Sequence, residues 1–112
     1  MKAGGQNRIV LVTCENQAEA RRIANSVVGK RLAACVNVLP GRVHSIYRWK
    51  GKIESSREVL ILIKTTAARL KELEREVKRL HSYEVPEFIA VPIVAGSREY
   101  LDWIAESARK KS

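Results

Sequence analysis

Aromatic residues are scarce in this chain of 112 residues: one Phe, two Trp and three Tyr. With 46% hydrophobic residues, a core has to be built mainly from aliphatic side chains. A domain of this size buries about two-thirds of the surface its unfolded chain exposes. Cysteine is scarcer still. Cys14 and Cys35 are the only two, which is too few for a disulfide framework, and both are expected to be free thiols in a reducing compartment. No apolar run is long enough to span a bilayer, so no membrane partner is expected. The opening MKAGGQNR has no hydrophobic segment behind its lysine, so it does not read as a secretory signal and the expected location is cytoplasmic. A glycine-rich phosphate loop, a Ser/His/Asp set and a Cys-x-x-Cys motif are all missing, and the chain is not expected to be an enzyme.

Acidic charge is also short. There are 12 Asp and Glu against 21 Lys and Arg, a formal charge of +9. Such an excess raises the prospect of a polyanionic partner. The basic residues are scattered, however, and their one tight cluster is the tail Arg109-Lys110-Lys111. Aromatics do not interleave with them in a nucleic-acid-binding pattern. A solvated mixed-charge surface is the better reading, and no nucleic-acid partner is expected.

What is present is a clear alternation of patterns over residues 1–112, read as one domain with residues 1–7 flexible. RIVLVTC (8–14) is a β-branched run typical of a buried strand. Asn16 and Glu19 form a capping pair, Ala20, Ile23, Ala24 and Val27 recur at helical spacing, and Gly29 can end that helix. LAACVNVL (32–39) predicts a second strand, interrupted but not ended by Pro40-Gly41. Residues 43–49 and 53–65 flank Lys50-Gly51 as a long hairpin. Thr66 can cap a helix with an apolar stripe of Leu70, Leu73, Val77 and Leu80. Residues 88–94 predict an edge or bulged strand because Pro92 cannot donate a ladder bond. Ser97 caps a last helix. The order predicts an α+β fold of the ferredoxin-like, split β-α-β kind: an antiparallel sheet, a long central hairpin and an extra C-terminal helix.

Two helices cover one face of such a sheet. Yet Leu32, Ala34, Val36 and Val38 are backed by Ala33, Cys35 and Leu39, and residues 59–63 are apolar throughout. A soluble monomer rarely leaves such a second face open, so a homo-oligomer is expected.

HSYEVPE (81–87) crowds a histidine, a tyrosine and two acids around one proline. His81 can serve as a metal ligand, or as a helix C-terminal histidine bonding a last-turn carbonyl. Glu84 and Glu87, three apart in an extended segment, are expected on opposite faces, which argues against an acid/base pair. Cys35, between Ala34 and Val36, reads as a buried structural thiol unless a base or cation activates it.

RLAACVNVLPG (31–41), SIYRWKGKI (45–53), EVLILIKTT (58–66), LHSYEVPE (80–87) and REYLDW (98–103) together resemble the CutA family, the divalent-cation tolerance proteins. The resemblance implies a ferredoxin-like subunit, a tight homotrimer and a link to copper and other divalent metals. It implies copper ligands at a first-strand cysteine and tandem histidines. This chain has Val12 at the first of these, with Cys14 two residues on, and Leu80 beside His81. His81 and Cys14 are therefore the expected metal ligands, and copper or another divalent metal is expected to bind weakly, with no obligatory cofactor. The resemblance also implies an inter-subunit cleft involving Cys35, Trp49, Tyr83, Glu84 and Glu87. The expected function is a trimeric copper tolerance or response protein. The alternative is a small-molecule sensor or signalling module that binds its ligand in the inter-subunit clefts.

Overall fold

The structure, a computed structural model, describes residues 1–110; Lys111 of the basic tail lies outside the described residues. The elements run β1 (Lys2–Ala3), β2 (Asn7–Cys14), α1 (Gln17–Gly29), β3 (Cys35–Val38), β4 (Val43–Trp49), β5 (Lys52–Thr66), α2 (Leu70–Leu80), β6 (Ile89–Pro92), β7 (Ala95–Gly96) and α3 (Arg98–Ser107). A 3-10 turn, Ala67–Arg69, leads into α2. It is a mixed α+β fold with antiparallel pairing throughout. The main sheet has the order β3-β5-β2-β6, with β4 paired to the outer half of β5.

Period-two alternation explains the core. Val10, Val12 and Cys14 of β2 and Val59, Ile61 and Ile63 of β5 are fully buried against Ala20, Ile23 and Val27 of α1 and Leu73 and Val77 of α2. Burying each large aliphatic side chain contributes about 1.5–3 kcal/mol, which is how a chain short of aromatics still folds. On the opposite face α3 covers one end, where Leu101 and Ile104 meet Ala34, Cys35 and Ile93. The rest of that face carries Leu11 beside Leu62 and Ile89, and Ile9 beside Val91. Ile89 and Val91 remain 51% and 38% exposed.

The hairpin turns at Lys50 and Gly51, with φ of 50° and 79°. Two consecutive positive φ values define a type I′ turn, whose twist matches the strands it joins. Pro40-Gly41 sits in an irregularity between β3 and β4: Val38 faces Ile61 and Val43 faces Glu58, so residues 39–42 oppose only 59–60. β6 is an edge strand, where Pro92 costs no ladder bond.

Several expectations need correction. Residues 1–7 are not loose, because Lys2 and Ala3 pair with Gly96 and Ala95 and the Gly4 amide donates to the Val94 carbonyl. The second strand begins at Cys35, not Leu32. α1 does end at Gly29, and the stretch that follows is irregular, with Arg31 in the left-handed region at φ 58°. That conformation lets the Leu32 and Ala33 amides reach back to the Val27 carbonyl. Thr66 occupies the cap position of the 3-10 turn, but its side chain makes no capping bond.

Candidate functional site

Glu19 organises the junction between β2, α1 and the segment after α2. Asn16 caps α1 by accepting from the Glu19 amide. The Glu19 carboxylate does not return to Asn16. It accepts from the Glu15 amide at 2.9 Å and from the Ser82 amide at 2.7 Å. Burial opposes its ionisation, but those bonds outweigh burial and hold its carboxyl below the usual range.

His81 follows Leu80 as the C-cap of α2, its backbone turning to an extended conformation. Its ring is buried. Nε2 lies 2.8 Å from the Thr13 carbonyl oxygen, which can only accept, so Nε2 is the donor. Nδ1 accepts from the Tyr83 amide at 3.1 Å. The ring thus bonds a carbonyl on β2, not one in the last turn of α2 as expected. It also stacks at a tilt on Tyr83, with centroids 4.7 Å apart.

The Cys14 sulfur, a Glu19 oxygen and a His81 nitrogen all lie within 4.8 Å of one another. His81 and Cys14 are therefore together. Donors on one tetrahedral ion would stand about 3.5 Å apart, given metal–ligand bonds near 2.0–2.3 Å. Both ring nitrogens are engaged. The Cys14 thiol is pushed up to about 12 by burial and by the charges of Glu19 and Glu58. The donor types suit a soft or borderline ion, but binding requires His81 to release a bond and Cys14 to lose a proton.

Beside this cluster an open cleft of about 930 Å³ separates the β4–β5 arm from the body. Trp49, Tyr83, Glu84 and Glu87 line it. Glu84 and Glu87 share it because residues 82–85 bend, so strand alternation does not apply. Cys35 is not with them; it packs against the α3 cluster on β3. The cleft also holds Glu58, which is only 5% exposed and was not singled out in the sequence. Its signal was there: an acid at 58 shares strand parity with Leu60 and Leu62. Burial raises the Tyr83 hydroxyl well above the usual phenol range, with help from Glu58. Burial and Glu58 likewise raise Glu87.

Fold and site together define a mixed α+β domain with antiparallel sheets, three helices, a protruding hairpin and a thiol–carboxylate–imidazole cluster at the C-terminal end of its first long strand. Residues 8–107 match the family described as CutA1 divalent ion tolerance protein, and the chain belongs to that family. It is 50% identical over 99 residues to the divalent-cation tolerance protein CutA of Thermus thermophilus, covering 88% of this chain and 95% of that one. It is 46% identical to the chloroplastic protein CutA of Arabidopsis thaliana, over 90% of this chain but only 55% of the plant protein. A solved structure of the Thermus thermophilus protein superposes with a TM-score of 0.87 at 48% identity, covering 90% of this chain and 97% of that one. Among the described residues no helix is long and apolar enough to cross a membrane.

Proposed function

We propose that this chain serves divalent-cation tolerance as a non-enzymatic homotrimer that binds copper, or another divalent metal, weakly. The observation that carries the reading is the convergence of Cys14, Glu19 and His81 within 4.8 Å. Thiolate and imidazole are copper donors, and copper heads the divalent affinity order, so it should outcompete other ions at a poorly prepared site. The prior engagement of His81 with Thr13 and Tyr83 is what keeps the binding weak. The strand order supports a ferredoxin-like subunit. The open sheet face of Ile9, Leu11, Leu62, Ile89 and Val91 supports the trimer, since association is the natural way to cover it. A cytoplasmic location, with both thiols reduced, completes the reading. Light scattering with copper dialysis tests it: the expected result is three times the chain mass and a saturable copper site on each chain. A monomer, or no saturable copper, would refute it.

A second reading, a small-molecule sensor, is favoured by the 930 Å³ cleft, which falls within the size range of ligand pockets, about 300–1,000 Å³.

A further inference from the structure

Each nitrogen of the His81 ring has room for a single partner, and both places are taken. Nε2 carries the proton and donates it to the Thr13 carbonyl at 2.8 Å, while Nδ1 accepts from the Tyr83 amide at 3.1 Å. The ring is wholly shielded from solvent, so a bond lost there is felt in full. The two nitrogens are not equivalent toward the Cys14–Glu19–His81 cluster. Nδ1 lies 3.8 Å from Oε2 of Glu19, close to the separation of about 3.5 Å that two donors on one tetrahedral ion require. Nε2 is committed to the β2 backbone.

A metal at Nε2 would break both bonds. The ring proton would then have to sit on Nδ1, where it would meet the Tyr83 N–H, donor against donor. A metal at Nδ1 breaks only one bond. It leaves Nε2–H on a backbone carbonyl, the arrangement that commonly orients a metal-bound imidazole. Building on the metal-binding reading above, we propose that the metal takes Nδ1 of His81 in direct exchange for the Tyr83 amide, so that metal occupancy releases Tyr83. The Thr13 carbonyl positions the ring, and the Tyr83 amide competes with the ion. Glu19 confines the release to that one residue. Its Oε1 holds the Ser82 amide at 2.7 Å, and its Oε2, which accepts from the Glu15 amide at 2.9 Å, keeps a second lone pair for the ion. Ser82 therefore stays tied while Tyr83 comes free. Residues 82–85 form no helix or strand, so no ladder of backbone bonds resists the change. The coupling is reciprocal: the amide lowers metal affinity by the factor by which metal lowers the protection of the amide.

Zinc is a diamagnetic divalent ion that accepts thiolate, imidazole and carboxylate donors, so titration of the whole chain with zinc chloride, followed by nitrogen-15 magnetic resonance, tests the exchange. The expected result is saturable binding in which the Nδ1 signal of His81 leaves the range of a bare ring nitrogen while Nε2 stays protonated. Hydrogen exchange at the Tyr83 amide should become about tenfold faster or more, and that at the Ser82 amide should stay within about twofold. His44, the other histidine, is exposed on β4, and its ring signals report adventitious surface binding. Saturable zinc with the metal on Nε2, with the Tyr83 amide as protected as before, or with His44 alone shifted would overturn the exchange and leave the metal-binding reading to the copper dialysis above. No saturable zinc would overturn the exchange as well. No saturable copper in the dialysis would remove both.

Discussion

Replacing His81 should cost far more than the loss of a surface helix cap. The side chain is wholly shielded from solvent and bridges β2 to the segment after α2 through bonds to the Thr13 carbonyl and the Tyr83 amide. His81→Ala strands both partners. Each buried backbone group left without a bond costs about 1–3 kcal/mol, before any penalty for the cavity and the lost Tyr83 ring contact. Water entering the cavity recovers part of this, so the expected loss is about 3 kcal/mol. Conservative variants divide the effect. Asn places its oxygen near the position of Nδ1 and keeps the acceptor for Tyr83, whereas Gln reaches the position of Nε2 and keeps the donor for Thr13. Each should lose about half as much as Ala. Urea unfolding of the four proteins at one fixed protein concentration measures this. A loss below about 1 kcal/mol for His81→Ala would refute the reasoning and return His81 to the role of a peripheral cap.

Three further outcomes follow from the geometry. A Cβ on Gly4 would run into the Ile93 carbonyl oxygen, so Gly4→Ala should break the β1–β7 ribbon; rapid hydrogen exchange at the amide of position 4, with the main sheet still protected, is the expected signature. Lys50 holds a positive φ at the first position of a type I′ turn, so Lys50→Asn should stabilise the hairpin by about 0.5 kcal/mol and Gly51→Ala should destabilise it by about 1 kcal/mol in thermal unfolding. Hydrogen bonds from Arg79 and Ser26, opposed by burial and joined by Lys30, hold Glu76 far below the usual carboxylate range. An acid depressed in the folded state contributes stability that is present above its unfolded value, near pH 4.3, and is lost as pH falls through that value toward the folded one. Acid unfolding of Glu76→Gln should therefore be less pH-dependent in that window than that of the natural chain.

Much of the fold was legible because it rests on local rules. The alternation in β2 and β5, the stripe on α2, the Asn16 and Ser97 caps, the Lys50-Gly51 turn and the edge position of Pro92 each follow from a few adjacent residues. The failures have a different origin. His81 binds a carbonyl 68 residues away in sequence, and Glu19 reaches Ser82 across 63. Neither spacing nor composition encodes such contacts. The N-terminal ribbon was missed because two-residue strands carry no period, and Gly4 matters only for its closeness to Ile93. The second strand was drawn too long because LAAC alternates well enough on paper, while the unusual backbone at Arg31 feeds the chain in from α1. In the candidate site, Cys14 and His81 come together with Glu19 through contacts between distant segments of the chain. Glu19 and Glu58 went unread because each resembled something ordinary, a capping acid and an acid in a strand.

Weak copper binding at the Cys14–Glu19–His81 cluster can be measured by anaerobic copper titration of the natural chain and of Cys14→Ser, which preserves volume and leaves the His81 bonds in place. Burial and the charges of Glu19 and Glu58 push the Cys14 thiol up to about 12, so copper has to displace its proton, and affinity should rise about tenfold for each unit of pH. The expected result is one weak site per chain with that slope, weakened about tenfold or more and made nearly pH-independent in Cys14→Ser. Equal affinity and equal pH dependence in the two proteins would contradict it.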